Sequence, residues 1–109
     1  MSELAVDNRL VLSGSLSKAP EIRYSPAGVP IARFTLQHQS RQQQAEMPRQ
    51  VVCNILVIAS GEGLKRVVEQ LNVGTLVRVS GFISRAGYRD DANRIVLNAQ
   101  HIEMLPTPV

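Results

Sequence analysis

The side chains most able to do chemistry in this 109-residue chain are its twelve cations, ten of them arginine. An arginine fork suits phosphate, and its flat face stacks on rings, better than a lysine ammonium does. The cations are spaced rather than clustered. Lys18 and Arg23 lie near a first turn, and Arg33 lies on an alternating segment. Arg41 and Arg49 flank one polar stretch; Arg85, Arg89 and Arg94 surround another. A nucleic-acid strand presents its charges at intervals, so a groove that holds one needs cations at intervals too. Tyr88, between Gly87 and Arg89, offers a ring on which a base can stack; a tyrosine folded over the rim of the domain is the competing reading. Met47 is a soft, adaptable contact in the first stretch. Each loop arginine taken alone is an ordinary solvated side chain. As a set they point to nucleic acid, although Asp90 and Asp91 argue against phosphate contact at the tip of the second stretch.

Other chemistries find no support. The chain has no glycine-rich phosphate loop, no Ser-His-Asp order and no carboxylate pair. His38 and His101 are far apart and lack metal-type spacing with Cys53. No catalysis, cofactor, metal or small-molecule substrate is therefore expected. One cysteine excludes an intrachain disulfide and fits a reducing compartment. The N-terminus is acidic and unlike a signal peptide. No apolar run approaches the roughly 18 residues of a membrane span. The expectation is a soluble cytoplasmic protein. The net charge is +3, and both acids of residues 1–7 precede the first cation, so the remainder is more basic.

The elements that must position these residues are mostly strands. Residues 8–16 alternate, with Leu10, Leu12, Gly14 and Leu16 on one face. A short extension at 22–24 leads into the turn SPAG at 25–28. Residues 30–40 alternate again: Ala32, Phe34, Leu36 and His38 share one face, and Arg33, Thr35, Gln37 and Gln39 the other. Residues 41–49 have no apolar period, contain a proline and read as a flexible loop, its glutamines 42–44 a plain linker. Residues 50–59 are β-branched and nearly apolar on both faces, which suggests a central strand with Cys53 buried. Residues 60–71 switch to helical period, with Ser60 as N-cap and Leu64, Val67, Val68 and Leu71 on one side. Strands at 75–85 and 94–105 bracket a polar hairpin loop, and Phe82 joins Phe34 in the expected core. Gly14 and Gly81 fall inside strands, where a small barrel must bend.

Three strands, a helix and two more strands make a mostly β protein: a five-stranded OB-fold barrel with one short helix between strands three and four. The expected organisation is a flexible extension at 1–7, one domain at 8–105 and a short tail at 106–109.

Four runs carry a resemblance: NRLVLSG at 8–14, YSPAGVP at 24–30, VGTLVRVSGFI at 73–83 and LNAQHIE at 97–103. Together, in this order, they resemble the single-stranded DNA-binding (SSB) family of OB-fold proteins, and the chain is most similar to its primosomal branch. That resemblance implies a homodimer in replication restart, with single-stranded DNA, the PriA helicase and DnaT as partners. It also implies aromatic side chains in and after the loop between strands two and three, where this chain has Met47 and Val52. The single-stranded DNA-binding set is thus Lys18, Arg23, Arg33, Arg41, Met47, Arg49, Val52, Arg85, Tyr88, Arg89 and Arg94. Two rival readings are a protein-interaction adaptor with weak DNA contact and a general SSB-like or RNA-binding OB module.

Overall fold

The computed structural model describes residues 6–87 and 94–106. Alternation of small or branched apolar residues with polar ones drives the chain into strands. In β3 (Pro30–Gln44) Ala32, Phe34 and Leu36 are buried while Arg33 and Gln37 are exposed. The same two-residue period buries Val57 and Ala59 in β4 (Met47–Ser60) and Val77 and Val79 in β5 (Leu76–Arg85). In β6 (Ile95–Met104) it buries Leu97 and Ala99; a bulge after Ala99 then shifts the phase so that Ile102 is buried, and Val96 is buried out of phase. With Leu16 at the end of β1 (Leu10–Leu16), these side chains apart from Val96 make one core. Each large apolar side chain so enclosed contributes about 1.5–3 kcal/mol relative to exposure.

The order in the sheet is β1-β5-β6-β4-β3, closed by a β1–β3 pairing, and the short β2 (Glu21–Tyr24) runs antiparallel along β3. Among the described residues only β4 and β6 pair in parallel. This closed five-stranded barrel is the OB fold expected from the sequence. The helix α1 (Glu62–Val68) follows β4 and packs Val68, then Leu71 just beyond it, against the core. It is shorter than the 60–71 expectation: Ser60 ends β4, and Gly61 takes the N-cap position at φ 102° without a side-chain cap. A positive φ at the strand-to-helix corner favours glycine over serine.

The largest departure is at 41–49, which is not a loop. β3 and β4 stay paired from Ile31↔Ser60 out to Gln44↔Met47, and the chain reverses at Ala45 and Glu46, with φ of 52° and 64°. Two positive-φ central residues belong to a two-residue hairpin turn that prefers Asn-Gly, so the sequence hid it. Pro48 misled in the same way. β4 meets β6 only at Leu56–Ile58, so its edge near Pro48 is open and a missing N–H is tolerated there. The result is an arm that leaves the barrel. Because the arm has no second layer, Cys53 is exposed, contrary to expectation, and Val52 is 61% exposed.

Two side-chain devices hold the arm and the N-terminal approach. The His38 ring lies between the Ser13 carbonyl, 2.7 Å from Nδ1, and the Ser40 hydroxyl, 2.7 Å from Nε2, and Gln42 donates to Ser40. This chain of bonds links the base of the arm to β1. Asn8 both donates to the Ile83 carbonyl and accepts from its N–H, as a neighbouring strand would.

Gly14 and Gly81 have a sharper role than bending. A Cβ at Gly14 would overlap the Gln37 carbonyl, and one at Gly81 would overlap the Asn98 carbonyl, beside the bulge between β5 and β6. Backbone is the neighbour in both cases, so the clash cannot be relieved by a rotamer change. Gly81→Ala should cost about 1–3 kcal/mol, the usual penalty of overpacking, read as a lower urea midpoint. An unchanged midpoint would show that the strands can separate at no cost.

Candidate nucleic-acid interface

With Ala32, Phe34 and Leu36 pointing into the barrel, the alternate residues of β3 must face outward. Register partners extend that face across the sheet. Glu21 pairs with Arg33, Arg33 with Ile58, Ile58 with Asn98 and Asn98 with Phe82. One outward row thus crosses β2, β3, β4, β6 and β5. The neighbouring row holds Thr35, Leu56, Val96 and Ser84. A groove of 210 Å³ beside these rows runs between Lys18, in the bend after β1, and Arg33, with Glu21, Thr35 and Leu56 in its walls.

Further out, the same face of the arm carries Gln37, Gln39 and Arg41 on β3 opposite Asn54, Val52 and Gln50 on β4. Arg49 and Met47 fall out of phase with these. They share the opposite face with Gln42 and Gln44, and Arg49 donates a hydrogen bond to the Gln44 side-chain oxygen. The structure therefore divides the expected set. Lys18, Arg33, Arg41 and Val52 lie on one continuous surface; Met47 and Arg49 lie behind the arm. Arg23 is on the outward face of β2, where Glu21 approaches it to 3.9 Å; both are exposed, and such a pair contributes little. Arg85 pairs in register with Ile95 at the mouth of the β5–β6 hairpin, and exposed Arg94 stands next to it in the chain. Tyr88 and Arg89 lie outside the described residues.

Two cations outside this set are engaged elsewhere. Arg78 bonds Glu103 at 3.1 Å across β5 and β6. The Lys65 ammonium stands 5.6 Å from the centre of the Tyr24 ring, and hydrogen bonding to Tyr24 raises its pKa above the ordinary lysine value. His38 and Cys53 face each other across β3 and β4, although both ring nitrogens of His38 already have partners.

Sequence reasoning missed one ring. Phe82 was expected in the core with Phe34, yet it is 39% exposed while Phe34 is 3% exposed. The signal was available: Phe82 is in phase with Arg78, Ser80 and Ser84, not with Val77 and Val79. Its partner Asn98, which drew no notice in the sequence, donates from its amide to the Ser84 hydroxyl at 2.8 Å and to the Phe82 carbonyl at 3.4 Å.

A closed five-stranded barrel with an outward cationic face defines a protein of the oligonucleotide-binding fold class. The comparisons narrow this. A family model described as "another single-strand binding protein family" matches residues 8–101. The replication restart protein PriB of Photobacterium profundum is 47% identical over 98 residues, covering 90% of this chain and 94% of that protein. The PriB of Photorhabdus laumondii is 46% identical with 90% and 93% covered. Among solved structures, PriB from Ralstonia solanacearum superposes with a TM-score of 0.77 at 29% identity, over 91% of this chain and 98% of that one. The single-stranded DNA-binding protein of Thermus aquaticus shares the fold, with a TM-score of 0.75 at 24% identity over 91% of this chain and 50% of that one. The chain belongs to the PriB branch of the single-strand binding protein family. That is a family of binding proteins, not of enzymes. Among the described residues no helix is long and apolar enough to cross a membrane.

The arm that carries Arg41 and Val52 has a strained tip, since a non-glycine residue in the left-handed region costs roughly 1–2 kcal/mol. Replacing Ala45 and Glu46 by Asn-Gly should therefore slow amide hydrogen exchange along residues 41–50. Exchange that stays as fast as before would mean that the turn does not limit the arm.

Proposed function

We propose that this protein binds single-stranded DNA without catalysis, as an accessory of the replication-restart primosome that stabilises the PriA helicase on DNA and helps to recruit DnaT. The observation that carries the reading is the continuous outward surface holding Lys18, Arg33 and Arg41, spaced along one groove and one arm. Spaced cations release counterions from a phosphate backbone with little preference for sequence. The PriB relatives support the restart setting. A cytoplasmic location follows from that setting.

The reading includes a homodimer. β1 is paired with β5 along Leu10–Ser15, but on its other side it meets β3 only at Ser15 and Leu16. The edge at residues 10–12 is thus open to a strand from a second copy, the Ser13 carbonyl being met by His38. Two grooves in one particle raise the effective concentration of each for a bound strand. Sedimentation equilibrium should give twice the 12.0 kDa of one chain; a monomer at micromolar concentration would refute the dimer.

A second reading, a helicase-docking adaptor with incidental DNA contact, is favoured by one observation. Met47 and Val52, at 68% and 61% exposure, put aliphatic rather than aromatic surface on the arm. Anisotropy of a labelled poly-dT oligomer across a salt series separates the two. Each phosphate neutralised on a single strand contributes a slope of about −0.7 in log K against log salt. Three cations predict a slope near −2 for the native chain, and Arg33→Ala should flatten it by about 0.7. Loss of PriA binding with an unchanged DNA slope would instead favour the adaptor.

A further inference from the structure

Phe82 is an aromatic ring on the outward face of the barrel, in a strand whose other outward residues near it are Ser80 and Ser84. It lies in one register row with Asn98, Ile58 and Arg33. A ring that is 39% exposed on a sheet is a hydration cost that a stacked flat ligand would remove. Every nucleobase has such a flat face, so stacking on one ring is tolerant of sequence.

Asn98 is the neighbour of that ring, one strand away at the ordinary spacing of about 4.8 Å. Its amide nitrogen is committed to the Ser84 hydroxyl and the Phe82 carbonyl. The Phe82 carbonyl can only accept, so it fixes which way round the amide stands. The side-chain oxygen has no partner among the described residues. It is an acceptor, and each base offers a donor on its edge: an exocyclic amine or a ring N–H. Arg33 lies two strands beyond Asn98 in the same row, about 10 Å away by strand spacing. Ring, acceptor and cation therefore stand in line across the sheet.

We infer that Phe82 and Asn98 form a base-binding element, in which the Phe82 ring stacks on an unpaired nucleobase and the Asn98 side-chain oxygen accepts a hydrogen bond from its edge, while Arg33 holds backbone phosphate in the same row. The inference rests on the single-stranded DNA reading above and adds to it a place where bases, not only phosphates, are held.

The chain has no tryptophan, so Phe82→Trp supplies a single reporter. Adding a dT oligomer should quench it saturably, with the same midpoint as anisotropy of a labelled oligomer. Phe82→Ala and Phe82→Leu should each weaken dT binding about tenfold, within the range for one stacked base, and leave the salt slope unchanged, because no cation is lost. An abasic oligomer should bind the native chain and both variants alike. Leucine keeps an apolar side chain at the position, so it remains informative if alanine disturbs the strand. If dT still binds with its expected slope but the tryptophan is not quenched and neither variant weakens binding, the base-binding element is refuted. The DNA reading then survives, and the ring is left for a protein partner. If the native chain binds no oligomer even at low salt, both readings fall together.

Discussion

The structure depends on two places where backbone touches backbone. β1 runs beside β5 and then, at Ser15 and Leu16, beside β3, and this transfer is what closes the sheet. Gly14, one residue earlier, lies so close to the Gln37 carbonyl that no side chain fits there. Gly81 does the same for β5 against β6, next to the bulge. A barrel of only five strands turns through a large angle at each pairing, and the strands cannot keep ordinary spacing everywhere. Removing two Cβ atoms is the cheapest way to bring them close. Closure then encloses Leu16, Leu36, Val57, Val77, Val79 and Leu97 in one core. It also keeps the outward row from Arg33 to Phe82 continuous, since each member is held by a neighbour's register.

The arm is the same ribbon continued past the point where the barrel can cover it. Up to Leu36 the inward face of β3 is buried, and from Arg41 onward every residue as far as Gln50 is exposed. What stabilises this outer part is pairing between β3 and β4, the His38–Ser40–Gln42 bonds at its base, and little apolar burial. Its glutamines and arginines suit that setting, because they satisfy themselves in water and discourage edge-to-edge association. Cations on such an arm keep their hydration and act through a high-dielectric medium, so any anion they hold is held in a salt-sensitive way. Lys18 and Arg33 are exposed as Arg41 is, but they share a groove whose walls also hold Glu21, Thr35 and Leu56.

The two-residue period was legible in the sequence wherever one face is buried, which is why the five barrel strands and the core positions Phe34 and Leu36 could be anticipated, and the switch to a helical period marked the short helix. It failed where burial stops deciding. The 41–49 stretch is polar on both faces, so its pairing leaves no apolar period to read, and Ala45-Glu46 is an uncommon pair for its turn. Cys53 looks like core by composition, yet the core does not reach it. Phe82 was misjudged by residue type, although its phase with Ser80 and Ser84 already placed it outside. Ser60 is a good cap by propensity, and the corner's positive φ passed the position to Gly61 instead. The candidate cations were all visible, but their division between two faces of the arm depends on a register that a presumed loop could not supply.

That division changes what the missing loop aromatics mean. Met47 pairs with Gln44 and Val52 with Gln39, so the two side chains stand five residues apart on opposite faces of one ribbon. A strand following the outward face of β3 past Arg33 and Arg41 meets Val52 and cannot meet Met47 without wrapping the arm. The two aliphatic positions are therefore not a vacated pair on one stacking platform. At most one lies on the path that the cations mark. Among the described residues, the exposed ring on that side of the molecule is Phe82, at the barrel end of the path. Among the described residues of this outward face, Arg33 and Arg41 lie on β3 and the exposed ring lies on β5, so a ligand that uses both must lie across the strands rather than along the arm alone.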